Sequence, residues 1–130
     1  MRKTQDLQTI LDAKAANGVG NAILVEGYRH KVLQIDSAGS ANLTIKVQAS
    51  DSDTAPDFSA AQSVTNSWDY VQCKDLQDGS SKNGDTGLAF AGSDDHVRWE
   101  INDNGAKWIN VEVSGYTAGT ITVKIKLFND

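Results

Sequence analysis

The sequence has few of the residues that cross-link or stiffen a chain. Its 130 residues include one cysteine, Cys73, and one proline, Pro56. A lone cysteine cannot form a disulfide within the chain, so we expect folding to be independent of oxidation. A single proline excludes a proline-rich extended linker. The length is that of one ordinary domain, which must depend on its apolar core for stability.

Basic residues and long apolar runs are also scarce. Twelve Lys and Arg stand against seventeen Asp and Glu, which gives a formal net charge of −5. No cluster of Lys and Arg occurs along the chain, so we expect no nucleic-acid partner. No stretch approaches the roughly 20 apolar residues that span a bilayer, and the basic start has no apolar run behind it. We therefore expect no membrane partner, and synthesis and folding in a cytoplasm.

From residue 22 onward, apolar and polar residues alternate with a period of two, which is typical of strands with one buried and one exposed face. Glycine-containing turns such as Ala38–Ser40 and Ala118–Gly119 separate the segments. The pattern predicts an antiparallel β-sandwich of about eight strands, with a jelly roll as the leading topology. The clearest alternation occupies 43–47, 97–101, 109–113 and 121–127, and weaker strands are predicted at 22–25, 31–35, 70–74 and 87–90.

The first residues follow a different pattern. Leu7, Ile10, Leu11 and Ala15 share one face of a helix near residues 5–16, with Thr4 as the N-cap and Gly18 as the stop. An irregular strand is the alternative. We therefore divide the chain into an N-terminal arm or helix, 1–20, and a sandwich, 21–130. Because so short a helix is marginal alone, its apolar stripe needs a cover, either a partner molecule or the chain's own sandwich.

Residues that carry chemistry are few. The only histidines are His30 and His96, and no nucleophile elbow accompanies either of them. Cys73 is in register with Val71 on a half-buried strand, as expected for an inert structural thiol. The acidic pairs Asp51/Asp53 and Asp94/Asp95 lack the spacing of a calcium loop. We expect no catalytic residues, no metal and no cofactor.

Aromatic side chains are the better candidates for contact with another molecule, because exposed aromatic faces anchor protein interfaces and stack on sugars. Trp68 and Tyr70 follow the first long loop, Trp108 lies opposite the apolar face of its strand, and Tyr116 occupies a predicted hairpin loop. The alternative is that these rings cover the ends of the core. With the N-terminal stripe, the candidate interface residues are Leu7, Ile10, Leu11, Trp68, Tyr70, Trp108 and Tyr116.

Several stretches that together cover most of residues 20–127 resemble small structural proteins of tailed bacteriophages. They are Thr54–Phe58, Asn66–Val71, Gly84–Gly87, Lys107–Val111 and Ser114–Val123. The resemblance implies a virion protein made in the host bacterial cytoplasm, most specifically a capsid decoration (cement) protein that binds the major capsid protein or other virion proteins. Because shells present symmetric sites, it also implies a homo-oligomer.

Two other functions compete with this one. The first is a receptor- or carbohydrate-binding module of a phage tail, neck or head fibre, which would use the loop aromatics. The second is an accessory domain of a bacterial hydrolase. The absence of repeats and of a triple-helical region argues against a long fibre protein.

Overall fold

Every regular element of the described chain is a β-strand. The computed structural model describes residues 3–4, 6–102 and 105–129, with side chains from residue 6 onward. No helix occurs among these residues, so the all-β class predicted from the alternation is confirmed. In chain order the strands are β1 Lys3–Thr4, β2 Gln8–Lys14, β3 Gly18–Val19, β4 Ile23–Leu24, β5 His30–Ser50, β6 Asp69–Tyr70, β7 Gln72–Asp75, β8 Ser81–Lys82, β9 Leu88–Ala91, β10 His96–Asn102 and β11 Trp108–Asn129.

Two long antiparallel strands, β5 and β11, form the centre of the sheet. They pair from Ser50 and Trp108 at one end to His30 and Phe128 at the other. In one half, the strand order is β2, β11, β5, β10, β7, β8. In the other half, β3 and β4 pair with β11, while β6 and β9 pair with β5. The described strands therefore form one continuous hydrogen-bonded sheet.

Both long strands bend at positions where the sequence predicted turns. Gly39 and Ser40 lie within β5 with φ of 72° and 55°, and Gly119 lies within β11 with φ of 82°. The register between the two strands shifts in the same region, between Ser114 and Thr120. Such irregularities let a strand turn a corner and continue into a second layer. The strands predicted at 31–35 and 43–47 are therefore the two halves of β5. Those predicted at 109–113 and 121–127 are the two halves of β11.

One core lies between the inward faces of the two halves. Nearly all the alternating residues predicted to be buried are buried, including Leu43, Ile45 and Val47 of β5, whereas Val97 is only partly buried. They join one apolar cluster with the residues of β10 and with both halves of β11. Neither the sandwich nor its jelly-roll topology is confirmed, because all the described strands belong to one continuous sheet.

The helix predicted near residues 5–16 is wrong, and the alternative strand is right. Strand β2 pairs with β11, and Ile10 is an extra residue between two pairs, Thr9 with Lys124 and Leu11 with Val123. Adjacent residues of a regular strand face opposite sides, but this bulge buries both Ile10 and Leu11, each 1% exposed. Because of the bulge, the adjacent residues Ile10 and Leu11 are both buried in a strand, and this spacing of apolar residues resembles that of a helix.

The chain's own sheet covers the N-terminal stripe. Ile10 and Leu11 belong to the apolar core, so the expectation that a partner covers them is wrong, whereas Leu7 is 43% exposed. The backbone N–H of Gly20 donates to the carbonyl of Val111, which continues the attachment beyond β2 and β3. Thr4, the predicted N-cap, pairs with Phe128, and the predicted helix's residue 5 lies outside the described residues.

Candidate functional site

The loop 51–68 between β5 and β6 has an internal hydrogen-bond framework centred on Asn66. The Asn66 side chain accepts from the backbone N–H of Asp57 at 2.8 Å and donates to the carbonyls of Asp57 and Ala61 at 2.9 and 3.1 Å. The hydroxyl and then the N–H of Ser59 donate to the Asp57 carboxylate, which lowers the pKa of that carboxyl. Side-chain hydrogen bonds thus order a loop that has little sheet pairing.

An aromatic cluster fixes the loop on the outer side of β5. Trp68 packs against Phe58 and Tyr70, with ring centroids 6.2 and 5.1 Å apart, and is only 9% exposed. Its indole N–H donates to the carbonyl of Ala60 at 3.2 Å. The buried amide of Gln48 donates to the carbonyl of Phe58 at 2.9 Å. Trp68 therefore anchors the loop, and its covered ring offers little surface to a partner.

Tyr70 links the loop cluster to the sheet. Its hydroxyl lies 3.0 Å from both carboxylate oxygens of Glu112, and the Lys46 ammonium lies 4.9 Å from its ring centroid. Burial, followed by the hydrogen bond and charge of Glu112, raises the pKa of Tyr70 from 10.0 to about 12. The neutral phenol is thus the form that the folded protein stabilises.

Replacement of Glu112 by Gln tests this arrangement. We expect Glu112→Gln to lower the pKa of Tyr70 while leaving it above 10.0, because burial, the largest cause, remains. The folded-state pKa lies above the unfolded value, so this group's contribution to stability is present below about pH 10 and is lost as the pH rises through about 12. Ultraviolet titration of tyrosinate, with Tyr70→Phe to identify the signal, measures the shift. Asp85→Asn is the control, with a smaller decrease, and an unchanged Tyr70 pKa in Glu112→Gln would contradict the assignment.

A groove of about 600 Å³ lies between the loop and the adjoining strand ends. Carboxylate, hydroxyl and amide groups in its wall can accept and donate hydrogen bonds to a polar ligand. The groove therefore suits a polar group better than an apolar one. Its lining residues are Ala49, Ser50, Asp51, Ser52, Gln62, Ser67, Trp68, Asp69, Val71 and Ala106.

The remaining two aromatic candidates also contact the chain itself. The indole N–H of Trp108 donates to the carbonyl of Ser52 at 2.9 Å, and Leu24 is its cross-strand neighbour. The Tyr116 hydroxyl donates to the carbonyl of Gly119 at 2.8 Å, and the ring packs against the core. Both rings are half-buried. Trp108 ties the loop to the sheet, and Tyr116 supports the bend in β11.

Exposed apolar side chains occur at positions that the sequence pattern does not predict. Val64 is 99% exposed at a turn that Ser63 and Asn66 close with two backbone hydrogen bonds. Leu24 is 50% exposed and Leu76 is 43% exposed. One signal could have located the loop tip, since residues 58–68 include no charged residue in a chain that is 22% charged.

Cys73 and the histidines, the side chains best suited to catalysis, do not come together in one site. His96 and Asp36 are 2.7 Å apart on the outer face of the sheet, whereas Cys73 is 1% exposed on the inner face. His30 stacks on Phe128, with ring centroids 4.9 Å apart. A Cys–His dyad is therefore not formed by Cys73 and His96, because the sheet separates them.

Carboxylates of both acidic loop pairs have partners within the chain. Asp94 accepts the N–H of Ser40 at 2.8 Å, and Asp53 lies 3.8 Å from the Lys107 ammonium. Within 3–4, 6–102 and 105–129, no group of three or more His, Cys, Asp or Glu is arranged to hold a metal ion. The described part of the chain also includes no helix that is long and apolar enough to cross a membrane.

Two solved structures have a similar fold. The SPBc2 prophage-derived protein YomS matches 99% of this chain over 96% of its own, with a TM-score of 0.70 and 17% identity. The fold is similar to that of YomS. The PBSX exported protein XepA matches 98% of this chain with a TM-score of 0.71 and 19% identity, but this chain spans only 38% of XepA. No protein-family model matches the sequence, and curated proteins give no significant match.

Proposed function

We propose that the chain is a non-enzymatic structural protein of a bacteriophage particle, specifically a decoration protein that binds the shell of major capsid protein. The observation that carries the proposal is the likeness in fold, over nearly the whole length of both chains, to the prophage-derived YomS. XepA, the second protein with this fold, also bears the name of a phage element, PBSX. The resemblance of the loop and strand motifs to small phage structural proteins supports the same origin.

The physical character of the molecule supports a binding role. Its long loop is ordered before any partner arrives, through Asn66 and the Trp68 cluster. A surface that is already ordered loses little conformational entropy on binding, so more of the contact energy remains as affinity. Because a shell repeats its sites symmetrically, the protein would occupy it as a homo-oligomer or in symmetric copies. Its location would be the virion, after synthesis in the host cytoplasm.

Binding to particles tests the proposal. Particles of the phage or prophage that encodes the chain are prepared with its gene deleted, and the purified protein is added back. We expect saturable co-sedimentation with capsids, in proportion to the lattice sites, and an increase in the temperature at which the shells open, because a ligand that binds the intact state stabilises it. Tails separated from heads serve as the control and should not bind.

The alternative is a receptor- or carbohydrate-binding module, which the polar groove beside Gln62 and Asp69 favours. The burial of Trp68 removes one ring face that would stack on a sugar. A glycan array, run with the same protein sample, separates the two functions. Glycan binding together with failure to bind heads would overturn the decoration role in favour of the alternative.

A further inference from the structure

The sheet brings together cations that are far apart in the sequence. In the half formed by the start of β5 and the end of β11, Gln34 pairs with both Arg98 and Lys124. In the next row on the same face, Val32 pairs with Glu100 and Lys126, and Glu100 also pairs with Lys74. The inward neighbours Leu33, Ile35, Trp99 and Ile125 are buried, which fixes these side chains on the outer face. We define the basic face as Lys74, Arg98, Lys124 and Lys126.

The dimensions of the basic face follow from sheet geometry. Neighbouring strands are about 4.8 Å apart and alternate residues of a strand about 7 Å apart, so the cations lie within a patch of about 15 by 7 Å. Lys74 and Arg98 are exposed, and Lys124 is partly exposed. Val32, which lies in the second row between Glu100 and Lys126, is only 6% exposed, so neighbouring side chains cover it. The cations thus lie on a well-packed surface of the sheet.

The charge of this face is opposite to that of the protein. Four cations accompany two carboxylates, Asp36 and Glu100, at the paired outer positions of β11, β5, β10 and β7. One of these carboxylates, Asp36, contacts His96 at 2.7 Å. The whole chain has a net charge of −5, so its remaining surface is more acidic still. A patch of positive charge on an acidic protein orients the molecule so that the patch faces a negatively charged surface.

We propose that the basic face is the docking surface for an acidic patch on a partner protein. The inference depends on the proposed function, in which the partner is the capsid shell, and it names the surface that makes the contact. The carboxylates of Glu100 and Asp36 within the face favour a protein partner over nucleic acid, because a continuous row of phosphates would be repelled by them. A protein surface with discrete charges can complement both signs and so define one orientation.

Charge reversal with a matched control tests the inference. The double variant Arg98→Glu, Lys124→Glu reverses two charges of the basic face. The control, Lys14→Glu with Lys82→Glu, makes the same change in charge on the opposite side of the sheet. Lys14 and Lys82 lie on that side because they pair with the buried Ile121 and Cys73. Each is added to purified heads from the gene-deleted phage at two salt concentrations. We expect the first variant to bind at least about tenfold more weakly with a smaller salt dependence, and the control to bind as the unchanged protein does. Circular dichroism verifies that both remain folded.

Each outcome distinguishes the inference from the function on which it depends. If the unchanged protein does not bind heads, the proposed decoration role is wrong, and the capsid shell is not the partner of the basic face. If the unchanged protein and both variants bind equally, the role stands and the basic face is not the docking surface. If Val64→Asp abolishes binding while the charge reversal does not, the loop tip makes the contact instead. Binding of the unchanged protein to DNA of random sequence at physiological salt would contradict a protein partner.

Discussion

Replacement of Gly119 by alanine is expected to prevent folding or to lower the free energy of unfolding by more than about 4 kcal/mol. Gly119 has a φ of 82°, which costs an L-residue about 1–2 kcal/mol on its own. A Cβ atom there would also lie 2.5 Å from the Cα of Ala41 and 2.7 Å from the carbonyl oxygen of Ala38. Both atoms belong to the backbone of β5, so the clash can be relieved only by separating the two central strands at their bends.

Gly92 provides a matched control for the Gly119 experiment. It has the same φ of 82°, but a Cβ atom there would have no neighbour within 4 Å. Gly92→Ala should therefore cost only the conformational penalty, about 1–2 kcal/mol. Urea denaturation of both variants, followed by circular dichroism, measures the difference. Equal losses of stability would show that the close approach of β5 and β11 is not a constraint.

Alanine substitution in β2 is expected to produce the second largest effect. Ile10 and Leu11 are each 1% exposed, so Ile10→Ala and Leu11→Ala should each lower the free energy of unfolding by about 2–5 kcal/mol. Leu7→Ala changes a residue that is 43% exposed and should alter stability by no more than about 0.5 kcal/mol. Thermal and urea unfolding of the three variants make the comparison.

Deletion of residues 1–17 extends the test of β2. Because the deletion removes the whole of this strand and exposes one side of β11, we expect the truncated protein to aggregate or to unfold at a much lower temperature. A truncated protein with an unchanged melting temperature would show that β2 is dispensable, and would restore the view of the N-terminal segment as a separate arm.

The period-two alternation was sufficient to predict the all-β class and most core residues. Ile45, Val111 and Val123 are buried where the alternation placed them, because burial on one face of a strand is a local property of the sequence. The bends at Gly39 and Gly119 were not predictable in the same way. A glycine with a positive φ produces either a chain-reversing turn or a kink in a continuing strand, and the choice depends on what the neighbouring strand does.

The N-terminal strand and the candidate site show the same limit. The bulge at Ile10 depends on pairing with Val123 and Lys124, which are more than a hundred residues away. The sequence predicts Trp68 as a contact residue, but the loop folds back and covers its ring. No basic cluster is visible in the sequence, because the register of β5 and β10 rather than the order of the chain brings Arg98 close to Lys124. Long-range pairing decides each of these features.

The position of β11 in the sheet has a consequence for the route by which the protein folds. Strands β2, β3, β4 and β5 all pair with β11, which is the last strand in the described chain. During synthesis, β2, β3 and β4 therefore cannot pair with β11 until residues 108–129 have left the ribosome. Closing such long loops before any pairing energy is gained slows folding, to the millisecond-to-second range typical of all-β domains. Until then Ile10 and Leu11 are exposed on a nascent chain, so that interval is when the protein is most prone to aggregation.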